Sequence, residues 1–168
     1  GKNNFIFYRN DMADQHLEPE SDVCNAPEEM TAIKKRRMLI VDDNAVDYTL
    51  LHRIFKDTFI IETARDGNSA LVRLKHYGSA ISVVLLDLMM PGMDGFAVLE
   101  KMQASIELRS IPVLIVSGDE SRETCLAAIR KGATDFVTKP VDADILRIRV
   151  QSAISKAENE RLRANSNL

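Results

Sequence analysis

Residues 83–95, Val-Val-Leu-Leu-Asp-Leu-Met-Met-Pro-Gly-Met-Asp-Gly, begin with a short apolar run that ends at Asp87. Two other apolar runs also end at polar residues, Met38–Val41 at Asp42-Asp43 and Val113–Val116 at Ser117. Strands that are buried on both faces, as in a parallel sheet, have this continuous apolar pattern. The sequence therefore predicts strands at these three places, with weaker strands at Phe59–Ala64 and Asp135–Val137.

Segments with helical periodicity separate the predicted strands. Apolar residues recur there at spacings of three and four, which is typical of a helix with one buried face. The segments are Ala45–Lys56, Gly67–Tyr77, Gly95–Ala104, Ser121–Lys131 and a last helix from about Asp142 toward Arg161. The predicted buried face of the first contains Val46, Leu50, Leu51, Ile54 and Phe55, and that of the fourth contains Cys125, Leu126, Ala128 and Ile129. Five strands alternating with five helices predict an α/β fold, a (βα)5 unit with a doubly wound, five-stranded parallel sheet.

Composition and charge exclude several classes of protein. The 168 residues carry 22 Lys+Arg against 25 Asp+Glu, and the chain contains no tryptophan, which argues against a nucleic-acid-binding surface. No apolar run approaches the roughly 20 residues that a membrane span needs. The two cysteines, Cys24 and Cys125, cannot form a disulfide framework, so we expect a reducing compartment and a cytoplasmic location.

Five polar residues fall at the predicted carboxyl ends of the strands: Asp42, Asp43, Asp87, Ser117 and Lys139. Ligands of open parallel sheets bind at that edge. Three carboxylates there would raise one another's pKa unless a cation lies between them, and an oxygen-rich site suits Mg²⁺. Lys139 and Ser117 could bind phosphoryl oxygens, and an aspartate in this setting can attack phosphorus and form an acyl phosphate. Each residue alone could be a helix cap, a turn residue or a solvated surface residue, but capping does not explain five together.

Residues 37–156 resemble the receiver domain of two-component response regulators. The matching residues are the acid pair Asp42-Asp43, Asp87 within Leu85–Gly95, Ser117-Gly118, Lys139-Pro140 and the aromatic Phe136. Their order and spacing fit the family throughout. The resemblance implies a flavodoxin-like receiver fold with strand order 2-1-3-4-5.

The resemblance also implies a role for each residue. Asp87 would accept a phosphoryl group from the phosphohistidine of a sensor histidine kinase or a histidine phosphotransfer protein. A Mg²⁺ (or Mn²⁺) ion would be bound by Asp87, by Asp43 directly, by Asp42 mostly through water, and by the backbone carbonyl of Met89. Ser117 and Lys139 would bind phosphoryl oxygens, and the Lys139-Pro140 peptide would be cis.

A switch mechanism follows from the same resemblance. On phosphorylation Ser117 would swing toward the phosphoryl group and Phe136 would rotate inward. This would repack the face made by the fourth helix, fifth strand and fifth helix, and so control an output domain or a partner. That face would also serve a homodimer, whereas direct binding of nucleic acid or membrane by this domain is not expected.

Two alternatives belong to other functional classes. A Mg²⁺-dependent phosphatase of the haloacid-dehalogenase type also uses a strand-end aspartate nucleophile, but it needs an acid two residues later, where this chain has Met89. A receiver-like module that binds partners without phosphorylation is disfavoured because all five site positions are intact. We expect no enzymatic activity beyond the chain's own phosphorylation and dephosphorylation.

The two ends of the chain differ from the centre. Residues 1–36 predict a disordered or linker-like leader, and the basic run Lys34–Arg37 predicts a solvated entry to the first strand. Residues 157–168 predict a helical extension, which fits either a stand-alone regulator or, the interpretation we favour, a fragment from which an output domain has been removed. In the last helix Leu146, Val150, Ala153 or Ile154, and Ala157 form the inward stripe, while Ile145 and Ile148 fit either a broader buried face or a dimerisation surface.

Overall fold

The computed structural model describes residues 34–168, so the prediction for the leader lies almost wholly outside the described residues. Five strands form one sheet: β1 Arg36–Val41, β2 Phe59–Ala64, β3 Ile81–Leu86, β4 Val113–Ser117 and β5 Asp135–Thr138. Neighbouring strands pair in parallel in the order β2-β1-β3-β4-β5. The predicted fold class and strand order are therefore confirmed. The order reverses between β1 and β3, and ligand crevices of doubly wound sheets form at such a reversal.

Five α-helices connect and follow the strands in the described part of the chain: α1 Ala45–Phe55, α2 Gly67–Tyr77, α3 Gly95–Ala104, α4 Arg122–Arg130 and α5 Ala143–Ser166. Each begins directly after a polar residue whose side chain accepts a backbone N–H of the first turn. These N-caps are Asn44, Asp66, Asp94, Ser121 and Asp142. Such caps satisfy donors that the helix itself cannot pair, which is why the helices begin where they do.

The two faces of the sheet bury separate sets of side chains. Successive strand residues point to opposite faces. On one face Leu39, Val84 and Ile115 pack with helices α2, α3 and α4. On the other, Ile40 and Leu85 pack with helices α1 and α5. Burial on both faces explains the continuous apolar runs Met38–Val41, Val83–Leu86 and Val113–Val116 of the central strands.

Two predicted helix faces are narrower in the structure than in the sequence pattern. In α1 the side chains of Val46 and Leu50 are exposed, although the pattern placed them with the buried Leu51. In α4 Leu126 and Ile129 are also exposed. Apolar periodicity identifies a stripe wider than the sheet can cover, so residues at its margin remain in solvent.

The basic run is partly inside the sheet rather than in front of it. Arg36 and Arg37 are the first two residues of β1, one residue earlier than the predicted start of the domain. Arg37 forms an ion pair with Glu62 of β2, and its guanidinium lies 4.4 Å from the centre of the Tyr77 ring. Only Lys34 and Lys35 of the basic run form the predicted solvated entry, while Arg36 and Arg37 belong to the sheet.

Helix α5 continues without a break through the predicted extension to Ser166. Arg36 reaches Glu158 at 2.8 Å, and the Arg161 guanidinium donates to the carbonyl of Ser110 at 3.3 Å. Ile145 and Ile148 are 51% and 69% exposed, so the broader buried face is wrong for them. No helix within residues 34–168 has both the length and the apolar character that a bilayer crossing requires.

Gly95 gives a test of how tightly α3 packs against the loop after β3. A Cβ atom at Gly95 would clash with the carbonyl oxygen of Asp87 and lie 2.8 Å from Cα of Leu88, and neither backbone atom can move independently. We expect Gly95→Ala to lower the free energy of unfolding by about 1–3 kcal/mol, as overpacking does, although alanine favours helix formation. Urea unfolding measures the change.

Gly118→Ala is the matched control, because no atom lies within 4 Å of its added Cβ. It should change the free energy of unfolding by no more than about 0.5 kcal/mol. A Gly95→Ala protein as stable as the control would contradict the close approach of α3 to Asp87.

Candidate functional site

The register of β1 and β3 places Asp42 beside Asp87. Val41 pairs with Leu86, and the backbone N–H of Asp87 donates to the carbonyl of Val41 at 2.9 Å. The next residue of each strand is therefore an aspartate at the same edge. One carboxylate oxygen from each of Asp42, Asp43 and Asp87 lies within 4.8 Å of the other two. We call these three residues the acid cluster.

The members of the acid cluster differ in burial. Asp42 is 1% exposed and Asp87 is 5% exposed, whereas Asp43 faces solvent. Asp42 accepts the N–H of Asn44 at 2.8 Å, and Asp87 accepts the N–H of Met89 at 3.1 Å. One carboxylate oxygen of each buried aspartate therefore accepts a backbone N–H of the loop that follows its strand.

Burial is the main reason that the pKa of Asp87 lies above its usual value, because it disfavours the charged carboxylate. The N–H of Met89 and the ammonium of Lys139 act in the opposite direction, and the charges of Asp42 and Asp43 raise the pKa again. Asp87 is thus a carboxylate whose negative charge is incompletely compensated by its protein neighbours.

Lys139 follows β5 and supplies the positive charge of the site. Its backbone N–H donates to the carbonyl of Ser117 at 2.8 Å, and the Lys139-Pro140 peptide is cis as expected. Its Nζ lies 3.0 Å from a carboxylate oxygen of Asp42, 2.8 Å from one of Asp47 and 3.6 Å from one of Asp87. The predicted convergence of Lys139 with the three acids is therefore present.

Burial alone would lower the pKa of Lys139, but the hydrogen bonds to Asp47 and Asp42 outweigh it. The charges of Asp42 and Asp87 add to their effect, and the pKa of Lys139 rises to about 12. Lys139 is therefore a permanent cation at neutral pH.

Asp47 is a member of the site that sequence reasoning missed. It lies in the first turn of α1, not at a strand end, so the strand-end pattern does not include it. The available signal was its spacing. The cap of α1 follows the acid pair directly, so a residue one helical turn beyond Asp43 lies near the same edge of the sheet. That spacing alone also fits an ordinary acidic residue in the first turn of a helix.

Ser117 is fully buried at the end of β4 and connects to the start of α4. Its Oγ accepts the N–H of Asp119 at 3.2 Å. The Asp119 carboxylate accepts the N–H of Ser121 at 2.9 Å and the hydroxyl of Thr124 at 2.6 Å. Since Ser121 is the N-cap of α4, hydrogen bonds run from the site to that helix.

Phe136 lies outside the polar site. It pairs with Ile115 across β5 and β4 and packs, half-buried, against the core on the α2–α4 face of the sheet. The structure therefore places Phe136 beside the core rather than beside the carboxylates.

An open cleft of about 590 Å³ gives solvent access to Asp43 and Asp87 of the acid cluster. Its lining residues are Asp43, Asn44, Asp47, Asp87, Met89, Gly118, Asp119 and Lys139. Met89 is 69% exposed at this cleft, and its thioether cannot donate a proton to a leaving group.

The donor set of the acid cluster fits a hard divalent cation. Carboxylate oxygens within 4.8 Å of one another can share one ion. Mg²⁺ binds through a few carboxylates and retains waters, for which the open cleft has room. The uncompensated negative charge of Asp87 supports the same conclusion.

Comparison with known proteins gives consistent matches. The sequence model of the response regulator receiver domain family matches residues 38–151. Response regulator PleD of Caulobacter vibrioides is 37% identical over 117 residues, which are 69% of this chain and 25% of PleD. Two-component response regulator ORR3 of Oryza sativa is 30% identical over 112 residues, 66% of this chain and 86% of ORR3. The chain thus spans about a quarter of the length of PleD.

A solved structure shows the same fold. The CheX–CheY–BeF₃–Mg²⁺ complex of Borrelia burgdorferi contains a chain that is 32% identical to this one, with a TM-score of 0.66. The match covers 69% of this chain and 87% of that chain.

The raised pKa of Asp87 predicts how stability depends on pH. Between the unfolded pKa of about 4 and the higher folded pKa, the folded state binds more protons, so the wild type loses stability as pH rises. We expect Asp87→Asn to be more stable than the wild type at pH 7 in EDTA, because asparagine stays neutral and retains an oxygen for the N–H of Met89. Urea unfolding at several pH values measures the difference.

The advantage of the Asp87→Asn protein should shrink as pH falls toward about 4 and disappear below it, where Asp87 is protonated in both states. Asp57→Asn is the control, since Asp57 is exposed in the loop between α1 and β2 at the far edge of the sheet. A stability difference that does not vary with pH would contradict burial as its cause.

Proposed function

The chain belongs to the response regulator receiver domain family, and on that premise we propose that Asp87 is the phosphoacceptor. Membership makes the chain a phosphoacceptor signalling module of a two-component system. The observation that carries the assignment is the position of Asp87, a buried carboxylate between the acid pair and the ammonium of Lys139. Asp87 lines the open cleft, so a phosphoryl donor can approach it.

The acid cluster and the backbone carbonyl of Met89 would bind Mg²⁺, or Mn²⁺, with Asp43 as a direct ligand and Asp42 acting mostly through water. When bound, the ion offsets the negative charge that builds up during phosphoryl transfer. A relative of known structure, the Borrelia CheY complex, contains Mg²⁺ together with beryllofluoride. The oxygen-only donor set of this chain supports the same type of ion.

In the proposed reaction a carboxylate oxygen of Asp87 attacks the phosphorus of a partner's phosphohistidine. The new O–P bond forms as the N–P bond breaks, and the electron pair of that bond remains on the imidazole, whose other nitrogen is protonated, so that it leaves as a neutral ring. The Lys139 ammonium balances charge on the phosphoryl oxygens, and the Ser117 hydroxyl donates to one of them. The products are an acyl phosphate on Asp87 and a neutral histidine.

The proposed phosphodonor is a sensor histidine kinase or a histidine phosphotransfer protein. Val46 and Leu50 support a protein donor, because they are exposed on α1, the helix that also carries Asp47 of the cleft. Exposed apolar side chains beside an active cleft are suited to partner contacts.

Phosphorylation adds charge and acceptor oxygens to Asp87, and we propose that Ser117 is the first residue to respond. To reach the phosphoryl group its hydroxyl would give up the N–H of Asp119, which is connected to the cap of α4. Phe136 would then move inward and repack the α4–β5–α5 face. The output, a further domain or a partner, is part of this proposal.

Three further expectations complete the proposal. We expect no turnover of a separate substrate, since Met89 stands where a haloacid-dehalogenase phosphatase needs an acid. The intact set of site residues also favours phosphorylation over binding without it. A cytoplasmic location fits the low cysteine content and the proposed phosphodonor.

Phosphorylation by a small donor tests the assignment. Acetyl phosphate with Mg²⁺ should add one phosphoryl group to the wild-type chain, detected as the mass of the intact protein. Asp87→Asn should abolish the gain because the amide cannot form the acyl phosphate. Asp57→Asn, remote from the cleft, should be phosphorylated like the wild type. Equal phosphorylation of the Asp87→Asn protein would refute Asp87 as the acceptor.

The α4–β5–α5 face is proposed to bind a second copy of this chain. Ile129, Ile145 and Ile148 expose 45%, 51% and 69% of their surfaces there. Beryllofluoride with Mg²⁺ should therefore increase the mass of the wild type toward that of a dimer in light scattering. Ile148→Glu should prevent the increase, because a charge would be buried in the interface.

Val72→Glu is the control for the dimer, since Val72 is 67% exposed on α2, which packs beside β1 and β2 at the end of the sheet away from β5. It should dimerise like the wild type. A wild type that remains monomeric with beryllofluoride bound would rule out this interface.

A further inference from the structure

We propose that Asp47 is a positioning residue that restrains Lys139 in the unphosphorylated protein and must release it when Asp87 carries a phosphoryl group. The proposal rests on the proposed role of Asp87. Asp47 therefore opposes phosphorylation of Asp87, because its ion pair with Lys139 weakens the affinity of the site for the phosphoryl group.

The distances around the Lys139 ammonium support this competition. Nζ lies 2.8 Å from Asp47 and 3.0 Å from Asp42, and both contacts are hydrogen bonds. The nearest oxygen of Asp87 is 3.6 Å away, beyond hydrogen-bond length. An ammonium has only three N–H donors, so two of them already serve groups other than Asp87.

The Lys139–Asp47 contact is more than an exposed surface pair. The Lys139 side chain is 18% exposed and that of Asp47 is 32% exposed. The contact joins α1 to the loop after β5, two elements far apart in the sequence. Partly desolvated ion pairs with good geometry are stronger than fully exposed ones, so releasing this one has a measurable cost.

Asp47 differs from the other acids of the cleft in what it can bind. The acid cluster that fits one cation consists of Asp42, Asp43 and Asp87 and does not include Asp47. Its hydrogen-bonded partner at the site is Lys139. Asp47 therefore has a counter-charge in the unphosphorylated state but none supplied by the proposed metal ion.

Phosphorylation changes the competition for Lys139. A phosphoryl group replaces the single charge of Asp87 with about −1.5 to −2 and adds oxygens within reach of Nζ. Lys139 then moves to these oxygens and Asp47 loses its partner beside a more negative group. Any interaction that is stronger before phosphorylation than after it lowers the affinity for the phosphoryl group by the same free energy.

The test is a beryllofluoride titration in saturating Mg²⁺, followed by calorimetry. Asp47→Asn keeps the size of the side chain but removes its charge. It should bind beryllofluoride about two to five times more tightly than the wild type, the range expected for one partly exposed ion pair. Equal or weaker binding would overturn the proposal.

The same substitution in a Lys139→Gln protein distinguishes an effect of Asp47 on the position of Lys139 from simple repulsion between Asp47 and the phosphoryl group. If Asp47 acts through Lys139, then Asp47→Asn should not change the affinity of a Lys139→Gln protein. A gain of equal size in both backgrounds would mean that Asp47 acts by its charge alone, which would also overturn the proposal. If beryllofluoride binds the Lys139→Gln background too weakly to titrate, the fraction phosphorylated at fixed acetyl phosphate gives the same comparison by mass.

The two levels of the proposal fail differently. If the wild type binds no beryllofluoride, or acetyl phosphate labels a residue other than Asp87, the proposed function is wrong. If the wild type binds beryllofluoride at Asp87 and Asp47→Asn does not tighten the binding, only the role of Asp47 is wrong. Urea unfolding of each variant shows that the comparison is made between folded proteins.

Discussion

The structure depends on one electrostatic constraint, the crowding of carboxylates at the carboxyl ends of β1 and β3. The parallel register that buries Val41 and Leu86 also places the aspartates after them side by side. Two of the three acids are almost fully buried, and burial raises the pKa of Asp87. Acids held together in this way require positive charge nearby, and the other groups of the site are placed to provide it.

Lys139 supplies part of that charge from the opposite side of the cleft, but it is shared. Asp42, Asp47 and Asp87 all lie within 4 Å of its ammonium. A single ammonium cannot neutralise three carboxylates and the exposed Asp43 as well. In the proposed mechanism a divalent ion in the acid cluster and a movable lysine would together resolve this imbalance, and each would leave Asp87 accessible to a donor.

The sequence predicts the strands and the acid cluster because these features depend on local patterns, whereas the strand order is implied by the family resemblance. Continuous apolar runs identify buried parallel strands, and residues at their carboxyl ends share one edge. Asp47 escaped this reasoning because its contact with Lys139 depends on the direction of α1 relative to the loop after β5. The exposed Val46, Leu50 and Ile129 were also misplaced, since periodicity does not show how much of a helix the sheet covers.

The contacts of the site extend to helices on both faces of the sheet, and this determines how a local change could spread. Through Asp47, Lys139 is connected to α1, which packs with α5 against one face. Through Asp119, Ser117 is connected to the cap of α4 on the other face. A phosphoryl group on Asp87 would attract Lys139 and Ser117. Lys139 would then lose its hydrogen bond to Asp47 of α1, and Ser117 would lose its hydrogen bond to Asp119 before α4. One phosphoryl group could thus move helices on both faces of the sheet, because each helix is bonded to the site directly and no rearrangement of the buried core is needed.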